Sequence, residues 1–155
     1  MQLHSFNDLE GLRIAAEMER RGGEFYRRAA RVVKSPETAE VLSRLAEDEA
    51  VHLCEFSELY EQVKTARSDE DNDMYDEETS AFLSAIAADI VFPGGLVSVA
   101  SDLESVPGIL RHAMQPEKDS IAFYDQMIKN TRMPKAAEVF RMIVDKEREH
   151  LCRLA

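Results

Sequence analysis

The sequence is poor in the features that mark several common classes of protein. Its 155 residues include only two cysteines, Cys54 and Cys152, which are too few for a disulfide-stapled scaffold. It has no apolar run of roughly 18 residues, so no membrane-spanning helix is expected. Residues 1–8 are polar and lack the apolar segment of a signal peptide. These absences predict a cytoplasmic protein.

Glycine, proline and positive charge are also scarce. Six glycines and five prolines, beside 45% apolar residues, exclude a low-complexity chain and favour helices. The formal net charge of −11 argues against nucleic acid or an anionic membrane as a partner, because both require a basic surface. The length predicts a single domain, residues 1–155, with a core of its own.

What the sequence has instead is an internal repeat. When the chain is shifted by 98 residues, positions 12–54 align with 110–152 without a gap, and 14 of these 43 positions are identical. Several of the identical pairs are polar, which the amphipathicity of helices alone would not reproduce. We therefore predict that the chain contains two copies of one structural unit.

Each copy is predicted to form a helical hairpin. In the first, residues 8–64, Pro36 opens the second helix, because the residue before a proline avoids the α conformation. In the second, residues 106–155, Pro134 separates the helices, and Pro116 is expected to bend the first of them. Neither hairpin could bury its apolar face alone, so the predicted fold is an all-α four-helix bundle.

Residues 65–105 connect the hairpins as the long crossover of such a bundle. The connection begins with an acidic run, 69–78, in which seven of ten residues are acidic. We interpret this run as a solvated loop, with a funnel for cations as the alternative. An apolar stretch, 78–92, predicts a short helix within the crossover.

Two Glu-x-x-His motifs lie at matching positions of the repeat: Glu49 with His52, and Glu147 with His150. Residues i and i+3 share a helix face, so each motif can offer a carboxylate and an imidazole to one metal ion. One such motif arises easily by chance in a charged helix. Two at equivalent positions of a repeat are a much stronger indication of a metal site.

Each motif has a glutamate 30 residues upstream, Glu19 and Glu117 respectively. The turn of each hairpin lies about midway between glutamate and motif, so folding brings the two level with each other. Tyr26 and Tyr124 follow these glutamates by seven residues, which is nearly two helical turns. A phenol in that position can donate a hydrogen bond to a ligand carboxylate.

One glutamate from each of two helices and a Glu-x-x-His from each of the other two is the donor set of di-iron carboxylate bundles. Carboxylates can bridge two cations, imidazole suits iron, and four glutamates neutralise two divalent ions. The predicted cofactor is a pair of iron ions, with manganese or zinc as alternatives. The predicted metal ligands are Glu19, Glu49, His52, Glu117, Glu147 and His150.

The sequence resembles the rubrerythrin branch of the ferritin-like superfamily over about residues 8–154. The resemblance implies a ferritin-like bundle, a non-haem di-iron oxidoreductase that reduces hydrogen peroxide, and often a homodimer. The alternatives are a ferroxidase that oxidises ferrous iron with dioxygen or peroxide, and a bundle whose site is only structural. Four strings carry the resemblance: Glu19-x6-Tyr26, Glu49-x-x-His52, Glu117-x6-Tyr124 and Glu147-x-x-His150.

Two departures from the rubrerythrin pattern bear on function. Those proteins usually carry a rubredoxin module with paired Cys-x-x-Cys motifs, which this sequence lacks, so electrons are expected from an external donor such as a rubredoxin. They also carry an additional glutamate one turn after the third-helix ligand, which exchanges with a histidine during turnover. Here that position is Ser120, and the neighbouring Asp119 falls on another face of a regular helix.

The remaining candidates receive simpler interpretations. Cys54 and Cys152 follow the motif histidines by two positions, about 200° around a helix, so they should point away from the metals. We interpret them as small core residues, with a redox pair as the alternative. His4 and His112 have no counterpart in the repeat and are predicted to be ordinary surface or core histidines.

Overall fold

The structure is a computed structural model that describes residues 7–66 and 106–154. This part of the chain is helical and contains no strand. None of its helices is long and apolar enough to cross a membrane. The helices are α1 (Asp8–Val32), α2 (Pro36–Ala66), α3 (Val106–Asn130) and α4 (Pro134–Leu154).

The breaks between helices fall at the predicted prolines, since Pro36 begins α2 and Pro134 begins α4. Val33 ends α1 with an extended backbone (φ −64°, ψ 140°). The Ser35 hydroxyl accepts a hydrogen bond of 3.3 Å from the Thr38 amide, one of the N–H groups that α2 cannot satisfy itself. α1 begins at residue 8 and α3 at residue 106, where the predicted hairpins begin, and α2 ends two residues beyond the predicted residue 64.

Four predictions are not tested by the described helices. Pro116 lies on the exposed side of α3, which continues through it, and the bend expected there stays a prediction. The acidic run 69–78, the short helix at 78–92 and His4 lie outside the described residues.

The buried apolar side chains form two clusters. The aromatic cluster surrounds Phe56, Phe123, Tyr124 and Phe140, and the aliphatic cluster contains Leu42, Leu45, Ile109 and Leu154, with Tyr26 beside them. α1 and α4 run from the aromatic to the aliphatic cluster, whereas α2 and α3 run the opposite way. The two helices of each hairpin are therefore antiparallel, and α1 packs chiefly on α2 and α3 on α4.

Between the two clusters, every helix buries polar side chains. On α1, for example, Glu19 lies between Met18 of the aromatic cluster and Tyr26 of the aliphatic cluster. The same order recurs on the other three helices. The candidate site thus occupies a polar layer in the middle of the bundle, sealed by apolar packing on either side.

Candidate metal centre

The polar layer contains all six residues that the sequence predicts as metal ligands. None of them is more than 4% exposed. Burial of so many ionisable groups is costly unless they are paired or bind a cation, so the layer needs a specific explanation. α1 supplies Glu19, α2 supplies Glu49 and His52, α3 supplies Glu117, and α4 supplies Glu147 and His150.

The first donor set is centred on His52. Its Nδ1 lies 3.4 Å from Glu19 Oε2, 4.0 Å from Glu49 Oε2 and 3.1 Å from Glu147 Oε1. Ligand atoms from these four residues all lie within 4.8 Å of one another. One cation could therefore contact the whole set.

The second donor set is centred on His150. Its Nδ1 lies 3.3 Å from Glu49 Oε1, 3.6 Å from Glu117 Oε1 and 3.4 Å from Glu147 Oε2. These four residues also bring ligand atoms within 4.8 Å of one another. The two imidazole rings stack with their centroids 5.9 Å apart, so the two sets are neighbours.

Glu49 and Glu147 belong to both donor sets. Glu49 presents Oε2 to His52 and Oε1 to His150, and Glu147 presents Oε1 to His52 and Oε2 to His150. Each carboxylate can therefore bridge two cations, one oxygen to each. The other two glutamates serve one set each.

Three buried polar atoms of the layer have no hydrogen-bond partner among the described residues: Glu19 Oε2, Glu117 Oε2 and His150 Nδ1. Buried polar atoms are normally paired, and an unpaired one costs about 1–3 kcal/mol. A cation in the first donor set would engage Glu19 Oε2, and one in the second would engage His150 Nδ1. Four carboxylates would also balance two divalent charges, so the residues fit a pair of divalent metal ions.

Each tyrosine supports a glutamate of the other hairpin. Tyr124 donates a 2.6 Å hydrogen bond to Glu19 Oε1, and Tyr26 donates a short hydrogen bond to Glu117 Oε1. Burial and the nearby carboxylates raise the pKa of both phenols above their ordinary range, so both remain protonated donors. The predicted hydrogen bonds are present, and the structure adds that they cross between hairpins.

Sequence reasoning missed Asp48. Its Oδ2 lies 3.1 Å from Nε2 of His150, the ring nitrogen that faces away from the donor set. Arg153 Nη1 lies 3.7 Å from the same oxygen. Asp48 directly precedes a ligand glutamate, but its counterpart in the repeat is Lys146, so a search for repeated residues passes over it.

The carboxylates favour protonated histidines when no metal is bound. Burial lowers the pKa of His52, but the nearby carboxylates of Glu147 and Glu19 outweigh burial and raise this pKa to about 9. Burial likewise lowers the pKa of His150, and contacts with Glu117 and Glu147 raise it to about 10. Burial, with the adjacent Glu147, raises the pKa of Glu117 to about 8. Protons thus offset part of the negative charge of the layer.

We expect the metal-free protein to become less stable as the pH rises from about 4.5 to about 10. His52, His150 and Glu117 hold more protons in the folded chain than in the unfolded one, because folding raises all three pKa values. The free energy of unfolding then falls with rising pH. This free energy can be measured by urea unfolding in the presence of a chelator at several pH values. Metal-loaded protein should lack this decline, and a flat curve for the metal-free protein would contradict the protonation described here.

Neither Ser120 nor Asp119 belongs to the two donor sets. Asp119 Oδ1 accepts a 2.8 Å hydrogen bond from Gln115 Nε2 on the exposed side of α3, as its predicted face requires. Gly22 is the counterpart of Ser120 on α1. A Cβ added at Gly22 would lie 3.3 Å from the carboxyl carbon of Glu49, so a larger residue there would crowd a bridging carboxylate.

Cys54 and Cys152 are exposed, so their prediction as core residues was wrong. The ligand histidines face the interior, and a step of two residues turns about 200° around the helix. That turn points both thiols away from the donor sets, as predicted, but it directs them to solvent. His112 is half-buried on α3 and lies outside both donor sets.

Four helices that bury two donor sets joined by shared glutamates have the architecture of ferritin-like di-iron carboxylate proteins. Among solved structures, a ferritin-like diiron-carboxylate protein from Thermotoga maritima is similar, with a TM-score of 0.76 and 23% identity over 99% of this chain and 95% of that one. At that identity the similarity establishes the fold. Comparison with curated proteins gave no match.

The family comparison is more specific. The rubrerythrin family matches residues 10–155, which is nearly the whole chain. The chain therefore belongs to the rubrerythrin family, as its motifs predict.

Proposed function

We propose that this chain binds two iron ions through Glu19, Glu49, His52, Glu117, Glu147 and His150 and acts as a non-haem di-iron oxidoreductase that reduces hydrogen peroxide. The observation that carries the proposal is the pair of buried donor sets joined through two carboxylates. Membership of the rubrerythrin family supports iron over other divalent metals. Manganese could occupy the same donors, and zinc could do so without redox chemistry.

When bound, the iron pair supplies the two electrons that convert one hydrogen peroxide and two protons into two water molecules. The chain's own residues hold the ions and shape their surroundings. Glu49 and Glu147 would hold the two ions side by side, while Tyr124 and Tyr26 orient the carboxylates of Glu19 and Glu117 through a hydrogen bond to one oxygen of each. The apolar clusters on either side limit access by bulk water.

We propose that the electrons come from an external donor. The two cysteines are 98 residues apart and form no Cys-x-x-Cys pair that could hold a redox centre in this chain. A small iron–sulfur carrier such as a rubredoxin is the partner implied by the family. Because such a carrier transfers one electron at a time, two reduced carriers would be needed for each peroxide molecule.

Ser120 favours a second candidate function, ferroxidase activity. The side chain at this position cannot serve as the additional carboxylate ligand that rubrerythrins carry, and neither donor set includes it. In this alternative, ferrous ions are oxidised by dioxygen or peroxide and then leave the site. The two candidates use the same ligands and differ in oxidant and in the fate of the iron.

Stopped-flow oxidation of protein loaded anaerobically with two ferrous ions per chain separates the candidates. We expect hydrogen peroxide to oxidise the iron much faster than dioxygen at matched concentration, and the ferric iron to remain with the protein after desalting. Zinc-loaded protein controls for absorbance changes that do not come from the metals. Equal rates with the two oxidants, or release of ferric iron, would instead establish the ferroxidase.

A further inference from the structure

We infer that Asp48 makes the two metal positions unequal, so that the position built on His150 binds its ion more tightly and fills first. The inference rests on the proposed di-metal function and adds to it an order of loading. It comes from a difference between the two copies of the repeat rather than from the residues that they share.

The hydrogen bond from His150 fixes the state of its ring. A carboxylate can only accept, so the Nε2 of His150, 3.1 Å from Asp48 Oδ2, carries the proton. A metal requires the neutral imidazole, in which Nδ1 then carries no proton and has a lone pair available for the metal. Nδ1 faces Glu49, Glu117 and Glu147. Asp48 thus holds the ring in the tautomer and orientation that bind a cation, and makes it a stronger donor.

Arg153 keeps Asp48 in place, with its Nη1 3.7 Å from Oδ2. The side chains of Asp48 and Arg153 are 39% and 46% exposed, whereas that of His150 is fully buried. Solvent screens the Asp48 charge, so the effect on the metal passes mainly through the hydrogen bond to the buried ring. Asp48 is therefore a positioning residue that acts through His150.

No described residue gives His52 this support. The counterpart of Asp48 is Lys146, whose Nζ lies 3.5 Å from Glu149 Oε2 and whose side chain is 51% exposed. Within residues 7–66 and 106–154, the polar contacts of His52 are made through Nδ1. The counterpart of Arg153 is Glu55, so both charges of the supporting pair are reversed in the other copy. The six ligands and the two tyrosines follow the repeat, whereas the charged pair that supports His150 does not.

Two single-site proteins isolate the positions. His52→Ala retains Glu117 and His150 with the two shared glutamates, and His150→Ala retains Glu19 and His52 with the same pair. Cobalt(II) is the probe, because its visible absorption reports binding without turnover. We expect His52→Ala to bind one cobalt ion more tightly than His150→Ala.

Asp48→Asn then tests the cause in each background. It should weaken cobalt binding by roughly 10- to 100-fold in His52→Ala and by less than about twofold in His150→Ala. Glu47→Gln is the matched control, since it removes one neighbouring exposed carboxylate that contacts neither histidine, and it should leave both affinities unchanged. Equal weakening in both backgrounds, or equal affinity of the two single-site proteins, would overturn the inference.

A reciprocal variant keeps the test independent of Asp48. Lys146→Asp supplies a carboxylate at the equivalent place in the other copy, and it should strengthen cobalt binding in the His150→Ala protein. No change there would count against the inference. If the unaltered protein bound no cobalt, zinc or iron at all, the proposed function itself would be wrong. Metal binding by the unaltered protein without the predicted difference between the two positions would contradict only the present inference.

Discussion

Glu49→Gln is expected to abolish binding of both metal ions. The Glu49 carboxylate gives Oε1 to the His150 set and Oε2 to the His52 set, and a glutamine side chain has a single oxygen and no charge. The iron content measured after equilibration with ferrous iron should fall from two ions per chain to none. Glu19→Gln alters only the first donor set, so the iron content should fall from two ions per chain to one.

The effect of Glu49→Gln on the free energy of unfolding should depend on whether metal is bound. A hundredfold excess of metal over its Kd stabilises the folded chain by about 2.7 kcal/mol for each site, and the variant should lose this gain at both sites. Without metal, the variant should be as stable as the parent or more so, because one buried carboxylate charge is removed.

Glu47→Gln, which alters an exposed carboxylate two residues away, is the control for both measurements and should match the parent. If the Glu49→Gln protein retained two ions, the shared donor sets would not describe the site. If it lost stability in the absence of metal, the carboxylate would serve folding itself, and the structural alternative would be favoured.

In the metal-free protein, the largest expected loss of stability comes from Phe140→Ala. Phe140 is completely buried in the aromatic cluster, with its ring centroid 5.1 Å from that of Phe56 and 5.7 Å from that of Tyr124. Removing a buried phenyl ring leaves a cavity and costs about 3–5 kcal/mol. Tyr124 holds Glu19 through its hydroxyl, so the loosened packing should also weaken the His52 donor set.

Chelator-treated protein unfolded in urea separates the packing effect from metal binding. Met142→Ala is the control, because this side chain lies on the same helix and is 47% exposed. It should change the free energy of unfolding by less than about 0.5 kcal/mol. A Phe140→Ala loss below about 1 kcal/mol would mean that the aromatic cluster does not carry the stability of this end of the bundle.

The repeat explains how much could be read from the sequence. A glutamate, a tyrosine and a Glu-x-x-His recur at one offset, and the prolines at 36 and 134 mark the turns that bring them level. The helices and the meeting of three polar residues within each hairpin follow from those positions, because helical periodicity fixes which side chains share a face.

Other features depend on how one hairpin packs against the other. The repeat compares the two copies position by position and contains no information on contacts between them. The sharing of Glu49 and Glu147 between donor sets, and the bonds from each tyrosine to the opposite hairpin, are such contacts. The exposure of Cys54 and Cys152 also depends on packing. A side chain that points away from the metals is buried only if a neighbouring helix covers that face.

Asp48 shows the difference between what the sequence determines and what the packing of the helices determines. Its sequence neighbours give no sign of a role, and its repeat counterpart, Lys146, argues against one. Only the approach of α2 to α4 brings its carboxylate to the outer nitrogen of His150. The sequence by itself determined the ligand types, their spacing and the helices that carry them, since these are local. The tertiary structure decided which ligands are shared and which are supported, since distances between helices depend on packing over the whole bundle.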